Sequence, residues 1–161
     1  MDPSRRVSLG WAAALAAVLA LAALATVPAL TGGAFGEAVH LGFSAVCHQM
    51  PERSPHLAGE PVALCHRCLG ILLGFGLGIA AGPALAAGLR QRIARGAQAR
   101  WLVASALPAA LDWLLGAAGI WANTPASRLL TGALFGLAAG VILGANLLAV
   151  RGRLPSPRLA S

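Results

Sequence analysis

The sequence predicts an all-α integral membrane protein. It should have four transmembrane helices, with a short interfacial helix and a Cys/His loop between the first two. Three observations carry this. Of 161 residues, 58% are hydrophobic and 11% charged, and the mean hydropathy is +0.75. A soluble domain of this size could not cover that much apolar surface, so lipid has to solvate part of it. Four apolar runs also reach the roughly 20 residues that cross a hydrocarbon core as a helix. Finally, the net charge of +7 comes entirely from arginine, and the arginines are spread unevenly among the loops.

The first run is Trp11–Leu30, preceded by Arg5 and Arg6 and ended by Pro28 and Thr31-Gly32-Gly33. A cleaved signal peptide is its alternative, with Met1–Arg6 as the n-region and Ala23-Leu24-Ala25 as a cleavage site. The apolar run is longer than a usual h-region, which favours a span.

Gly33–Gly59 is too short and too polar for another span. Its first half keeps helical rhythm. Glu37, His40, Ser44 and Cys47 step by three, four and three, the spacing of one helix face. This reads as a short helix on the outer interface, broken by Pro51 and Pro55. A loop, Met50–Gly59, then carries Glu52, Arg53 and His56. The chain returns through Pro61-Val62-Ala63-Leu64.

The second run, Leu69–Leu89, has Gly70, Gly74, Gly78 and Gly82 at four-residue spacing, which lets helix backbones approach closely in lipid. The third, Trp101–Ala122, is bracketed by Trp101 and Trp121 as interfacial anchors. The fourth is Leu129–Val150, where Asn146 reads as an interhelical hydrogen-bonding residue. Residues 151–161 follow as a disordered cytoplasmic tail. The whole chain, 1–161, reads as a single membrane domain.

Arg5, Arg6, Arg90, Arg92, Arg95, Arg100, Arg151, Arg153 and Arg158 fall on one side of these runs. Only Arg53, Arg67 and Arg128 fall on the other. The positive-inside rule then places both termini in the cytoplasm of a cell (inner) membrane protein and the Cys/His segment outside. Arginines in such loops meet anionic headgroups, so the bilayer is the expected partner and nucleic acid is not.

All three cysteines, and three of the four histidines, lie between positions 47 and 68. Cys65 and Cys68 sit two residues apart at a helix start, a spacing that suits two ligands on one metal or a dithiol pair. With Cys47 and His48 they make a Cys₃His set, which closes a tetrahedron around zinc; iron and copper come next. His66, His40 and Glu37 are possible additional ligands, although His40 and His56 also read as plain interfacial or loop residues. Arg67 and the positive end of the second helix would stabilise thiolates. An oxidising compartment leaves a simple structural disulfide as the alternative.

Asp112 lies midway along the third run, where a carboxylate costs on the order of 3 kcal/mol and is by default a functional hypothesis. Pro108, one turn earlier, frees a carbonyl and can open a polar pocket. Arg128, at the outer start of the fourth run, is the partner this reading expects. Asp112, Arg128 and Arg67 are thus the candidate catalytic residues. A packing role for the Asp112–Arg128 pair is the alternative.

Taken together, these residues resemble a family of small bacterial and archaeal membrane proteins, domain of unknown function 2085. That family is marked by a CHQ-x-x-x-RS element, a C-x-R-C-x-G element, a P-x-x-x-D helix and an R-x-x-TG helix. Here they are Cys47-His48-Gln49 with Arg53-Ser54, Cys65-His66-Arg67-Cys68-Leu69-Gly70, Pro108 with Asp112, and Arg128 with Thr131-Gly132. The resemblance covers about residues 35–150. Trp113 stands where the family has glycine, and Leu72 where it has an aromatic residue. The resemblance implies a shared site but no reaction type.

The residues themselves point first to a metal-binding membrane protein, with an enzyme using its metal on a lipid-soluble substrate as the form such a site could take. A quinone-coupled thiol–disulfide oxidoreductase is the second reading, set back by having three cysteines where such relays use two pairs. A non-catalytic scaffold with one disulfide is the third.

Overall fold

The computed structural model describes residues 3–89 and 95–149. The predicted tail, residues 151–161, and residues 90–94 of the arginine-rich second-to-third loop lie outside the described residues. Of the described residues, 78% are helical. Helix α1 spans Pro3–Leu24, α2 Val27–Thr31 and α3 Gly33–Ser44. A 3₁₀ turn, Pro51–Arg53, and a two-strand hairpin, β1 His56–Leu57 and β2 Glu60–Pro61, lead into α4, His66–Leu89. Helices α5, Arg95–Ala117, and α6, Pro125–Ala149, complete it.

Three expectations need correction here. The run Trp11–Leu30 is not one helix. It turns at Ala25-Thr26, where the amide of Thr26 reaches only the Ala23 carbonyl, and Pro28 sits in the first turn of α2, where no amide donor is needed. The run Trp101–Ala122 stops as a helix at Ala117. Gly119 takes φ +69° and the Ile120 amide closes back on Leu115 at 3.0 Å, a left-handed helix end that glycine adopts without strain. The polar loop is also more ordered than composition suggests. Ala58 and Gly59 both take positive φ (52° and 90°), the primed turn that matches hairpin twist, and Leu57 pairs with Glu60.

Helices α4 and α6 run parallel, in close backbone contact. Gly70, Gly74 and Gly78 face the carbonyls of Leu129, Ala133 and Leu137, while Gly132, Gly136 and Gly140 face those of Arg67, Ile71 and Phe75. A Cβ at Gly74 or Gly136 would lie well inside van der Waals contact with the facing carbonyl oxygen. Only glycine permits this approach, which brings the first turns of both helices to one end.

Helix α1 runs antiparallel to α4. Val18 meets Gly76, the Ala63 amide bonds the Ala25 carbonyl at 2.9 Å, and Trp11 Nε1 donates to the Ile79 carbonyl at 2.8 Å. That carbonyl is available because Pro83, four residues on, has no N–H to return. Helix α5 runs antiparallel to α6, and Asn146 makes the predicted interhelical bond, to Gln98 at 3.4 Å.

Little of the chain is buried. Leucines 107, 111, 114, 130 and 134 are more than half exposed, an apolar exterior suited to an apolar solvent. The buried cluster is small and local: Ala25, Cys47, Ala63 and Leu64, with Phe43, Cys65, Cys68, Leu69 and Leu72 packed on it. On length and apolarity, one helix among the described residues, over Pro125–Leu147, can cross a bilayer. Helices α1 and α4 hold shorter apolar runs, Leu9–Leu24 and His66–Gly82.

Candidate metal centre and its polar cavity

The buried cluster holds the three thiols together. The Sγ atoms of Cys47, Cys65 and Cys68 lie within 4.8 Å of one another, and all three cysteines are free. Two different devices bring them there. Cys65 directly precedes α4 and its carbonyl accepts the Leu69 amide. It therefore caps the helix, and Cys68 follows on the first turn. Cys47 arrives from the other side, just past the end of α3 rather than on its face, and is 6% exposed. Its sulfur accepts the Cys65 amide at 3.3 Å.

Gln49 and Ser54 hold the loop between these elements. Gln49, at φ +52°, donates its side-chain amide to the carbonyls of His40 at 2.7 Å and Ala63 at 3.0 Å. This ties the end of α3 to the strand leading into Cys65. Buried Ser54 donates to the Met50 carbonyl at 3.1 Å. The CHQ-x-x-x-RS element is thus largely a clamp that presents Cys47.

The thiols share charge unequally. A hydrogen bond from the Cys68 thiol, aided by helix-start amides of Cys68 and Arg67 and by Cys47, outweighs burial and pulls the Cys65 thiol down to about 5. Giving that hydrogen bond, together with burial and the neighbouring sulfur charges, pushes Cys68 up.

The predicted histidine and acidic ligands lie outside this sulfur group. His48 is exposed and lines the cavity beside it. His66 donates from Nδ1 to the Arg53 carbonyl at 2.7 Å, securing the loop. Glu37 is exposed and His40 partly buried, both on α3.

The expected Asp112–Arg128 pair is replaced. Asp112, 8% exposed, forms its ion pair with Arg67. The physical reason is the glycine seam: Gly132 seats α6 against the backbone of Arg67, so the guanidinium of Arg67 enters the bundle where α5 presents Asp112. Asn123 donates its side-chain amide to the Asp112 backbone carbonyl. Its role was not legible in sequence, because it depends on α5 ending at Ala117 and the chain doubling back. Arg67 Nε is sealed from solvent and has no acceptor among the described residues, an unsatisfied donor worth about 1–3 kcal/mol. Arg128 lines the cavity with Cys47, Cys65, Cys68, Arg67 and Trp113. That cavity holds about 340 Å³. Three of the four motif elements therefore line one space, and the P-x-x-x-D element reaches it through the ion pair of Asp112 with Arg67.

Comparison with known proteins identifies the family. The family described as "predicted membrane protein (DUF2085)" matches residues 47–142. An uncharacterised protein of Methanocaldococcus jannaschii, MJ1492, is 46% identical over 37 residues, which are 23% of this chain and 24% of that protein. The aligned segment thus spans about a quarter of this relative's length. No solved structure matches.

Proposed function

We propose, from the premise that the chain belongs to the DUF2085 family of predicted membrane proteins, that it is a metal-binding membrane protein. Cys47, Cys65 and Cys68 hold one ion, with zinc ahead of iron or copper. The observation that carries this is the convergence of three sulfurs within 4.8 Å. Bonds of about 2.3 Å at the tetrahedral angle put two thiolates on one zinc about 3.8 Å apart, so closing the site takes a shift of about 1 Å at most. The amide of Cys65 on the Cys47 sulfur is the kind of outer contact that orients a thiolate ligand. His48 is the proposed fourth ligand, since it follows Cys47 and lines the same cavity. His66, occupied at Nδ1, has only Nε2 left to offer. Held by the three sulfurs, with His48 exchanging for substrate, such an ion would supply Lewis acidity. Arg67, held by Asp112, and Arg128 then supply positive charge to a lipid-soluble substrate.

The membrane arrangement belongs to the same proposal. Helices α1, α4, α5 and α6 alternate in direction, as four successive spans of an inner-membrane protein would. Nine arginines against three favour cytoplasmic termini and an extracytoplasmic metal face.

A second reading has one observation in its favour. Cys65, a low-pKa thiol at a helix start, is the nucleophile a dithiol relay needs. Cys65 and Cys68 would pass two electrons and two protons to a quinone, leaving a disulfide and a quinol.

Elemental analysis of protein purified without chelator, paired with a thiol count, separates the two. The metal reading expects a single zinc per chain, lost in Cys47→Ser, and three thiols that react only after chelation. Absence of metal together with a single reactive thiol would refute it in favour of a disulfide.

A further inference from the structure

Beside the polar cavity lies a larger one of about 770 Å³, between α1, α3 and α4. Leu24, Val39, Phe43, Leu72 and Phe75 are among its walls, and none of its lining residues is charged. Its volume is that of a site for one small-molecule ligand. Val46, Cys68 and Ile71 line both cavities. The two spaces thus abut on a shared wall, with an apolar space on one side and a cationic one on the other.

The cationic end has a definite character. Arg53, Arg67 and Arg128 line it, and no carboxylate does. Asp112 engages Arg67 through one terminal nitrogen, but Nε of Arg67 is buried without an acceptor. Arg53 stands 3.9 Å from exposed Glu52, which discounts it. Arg128 forms no ion pair among the described residues. Guanidinium groups pair best with oxyanions, through parallel hydrogen bonds. A neutral ring ligand would leave Arg128 without counter-charge.

We infer that the two adjoining spaces together bind an anionic amphiphile. One alkyl or prenyl chain lies in the apolar cavity, and a phosphate-type head sits against Arg128 and Arg67 beside the sulfurs. This deepens the proposed function by naming its ligand class, and rests on that reading only for the metal's share of the head contact.

The test uses the full chain in nanodiscs of neutral phosphatidylcholine, with dodecyl phosphate as probe and empty discs as the partition control. Dodecyl phosphate should bind saturably, at least about tenfold more tightly than dodecanol or inorganic phosphate. Two substitutions probe the two ends. Arg128→Gln should weaken binding about tenfold, and Arg128→Lys should restore part of it. Gly42→Leu should also weaken it about tenfold, because Gly42 lines the apolar cavity. A Cβ there meets nothing within 4 Å, so this variant should fold and melt like the parent. Three results would each overturn the inference: equal affinity for dodecanol, equal affinity for inorganic phosphate, or binding indifferent to both substitutions. Metal content of the same discs keeps the two readings apart. Amphiphile binding by metal-free protein upholds the amphiphile site and ends the metal site. Bound metal without saturable amphiphile binding does the reverse.

Discussion

Replacing Asp112 with asparagine removes one charge at nearly constant shape, and changes one oxygen of a group that Ser127 and Asn123 also hydrogen-bond. The Asn123 contact to the backbone carbonyl survives. What changes is that Arg67 loses its counter-ion inside the bundle. Removing one partner of a buried pair typically costs about 3–5 kcal/mol. The Arg67 side chain keeps 22% exposure against 7% for Asp112, so water can reach part of the guanidinium, and we expect about 3 kcal/mol, the lower end. The single variant does not say which arginine is the partner, so a double-mutant cycle is needed. Asp112→Asn and Arg67→Gln should couple by about 2 kcal/mol, whereas Asp112→Asn and Arg128→Gln should add within about 0.5 kcal/mol. Unfolding in mixed dodecyl sulfate and maltoside micelles, followed by far-ultraviolet ellipticity, measures all five variants and the parent. A coupling to Arg67 below about 0.5 kcal/mol, or a larger one to Arg128, would refute the assignment and return Asp112 to the partner expected from sequence.

Three further outcomes follow from the same geometry. Gly136→Leu should prevent folding or cost more than the usual ~1–3 kcal/mol of overpacking, because the obstructing atom is the Ile71 carbonyl rather than a movable side chain; monodispersity after detergent extraction reads this out, and a well-folded variant would contradict the seam. Gln49→Ala should cost about 2 kcal/mol, two hydrogen bonds at about 1 kcal/mol each, and should loosen metal retention during dialysis; unchanged melting would mean the clamp is slack. Cys65, lowered to about 5, is mostly thiolate at any pH above that value. In metal-free protein its alkylation rate should therefore barely fall from pH 8 to pH 6.5, whereas an ordinary thiol slows about twentyfold; mass-mapped iodoacetamide labelling would expose a normal thiol if the rate collapsed.

The readings that survived were those whose causes are local in the chain. Helix content and the apolar exterior follow from runs of alanine, leucine and glycine. The Cys65–Cys68 pairing at a helix start follows from two intervening residues, since spacing along a helix sets which side chains share a turn. The grouping of Cys47 with them was legible from clustering alone. The family motifs were legible as strings, but not what each one does. That Gln49 and Ser54 clamp a loop, or that Gly132 exists to admit the backbone of Arg67, depends on atoms far away in sequence. Which arginine meets Asp112 was beyond sequence for the same reason. Arg128 is 16 residues away and Arg67 is 45, yet the glycine seam of α4 on α6 fixes the rotation of both helices and selects Arg67. The apolar cavity is a product of packing too: α3 stands off from α1 and α4 after the turn at Ala25-Thr26, leaving space that no periodicity encodes. Local chemistry thus determined the helix content and where the reactive residues cluster. The tertiary structure decided who faces whom, because a partner across a helix interface depends on rotation and approach distance, and here both are set by backbone contacts at glycines.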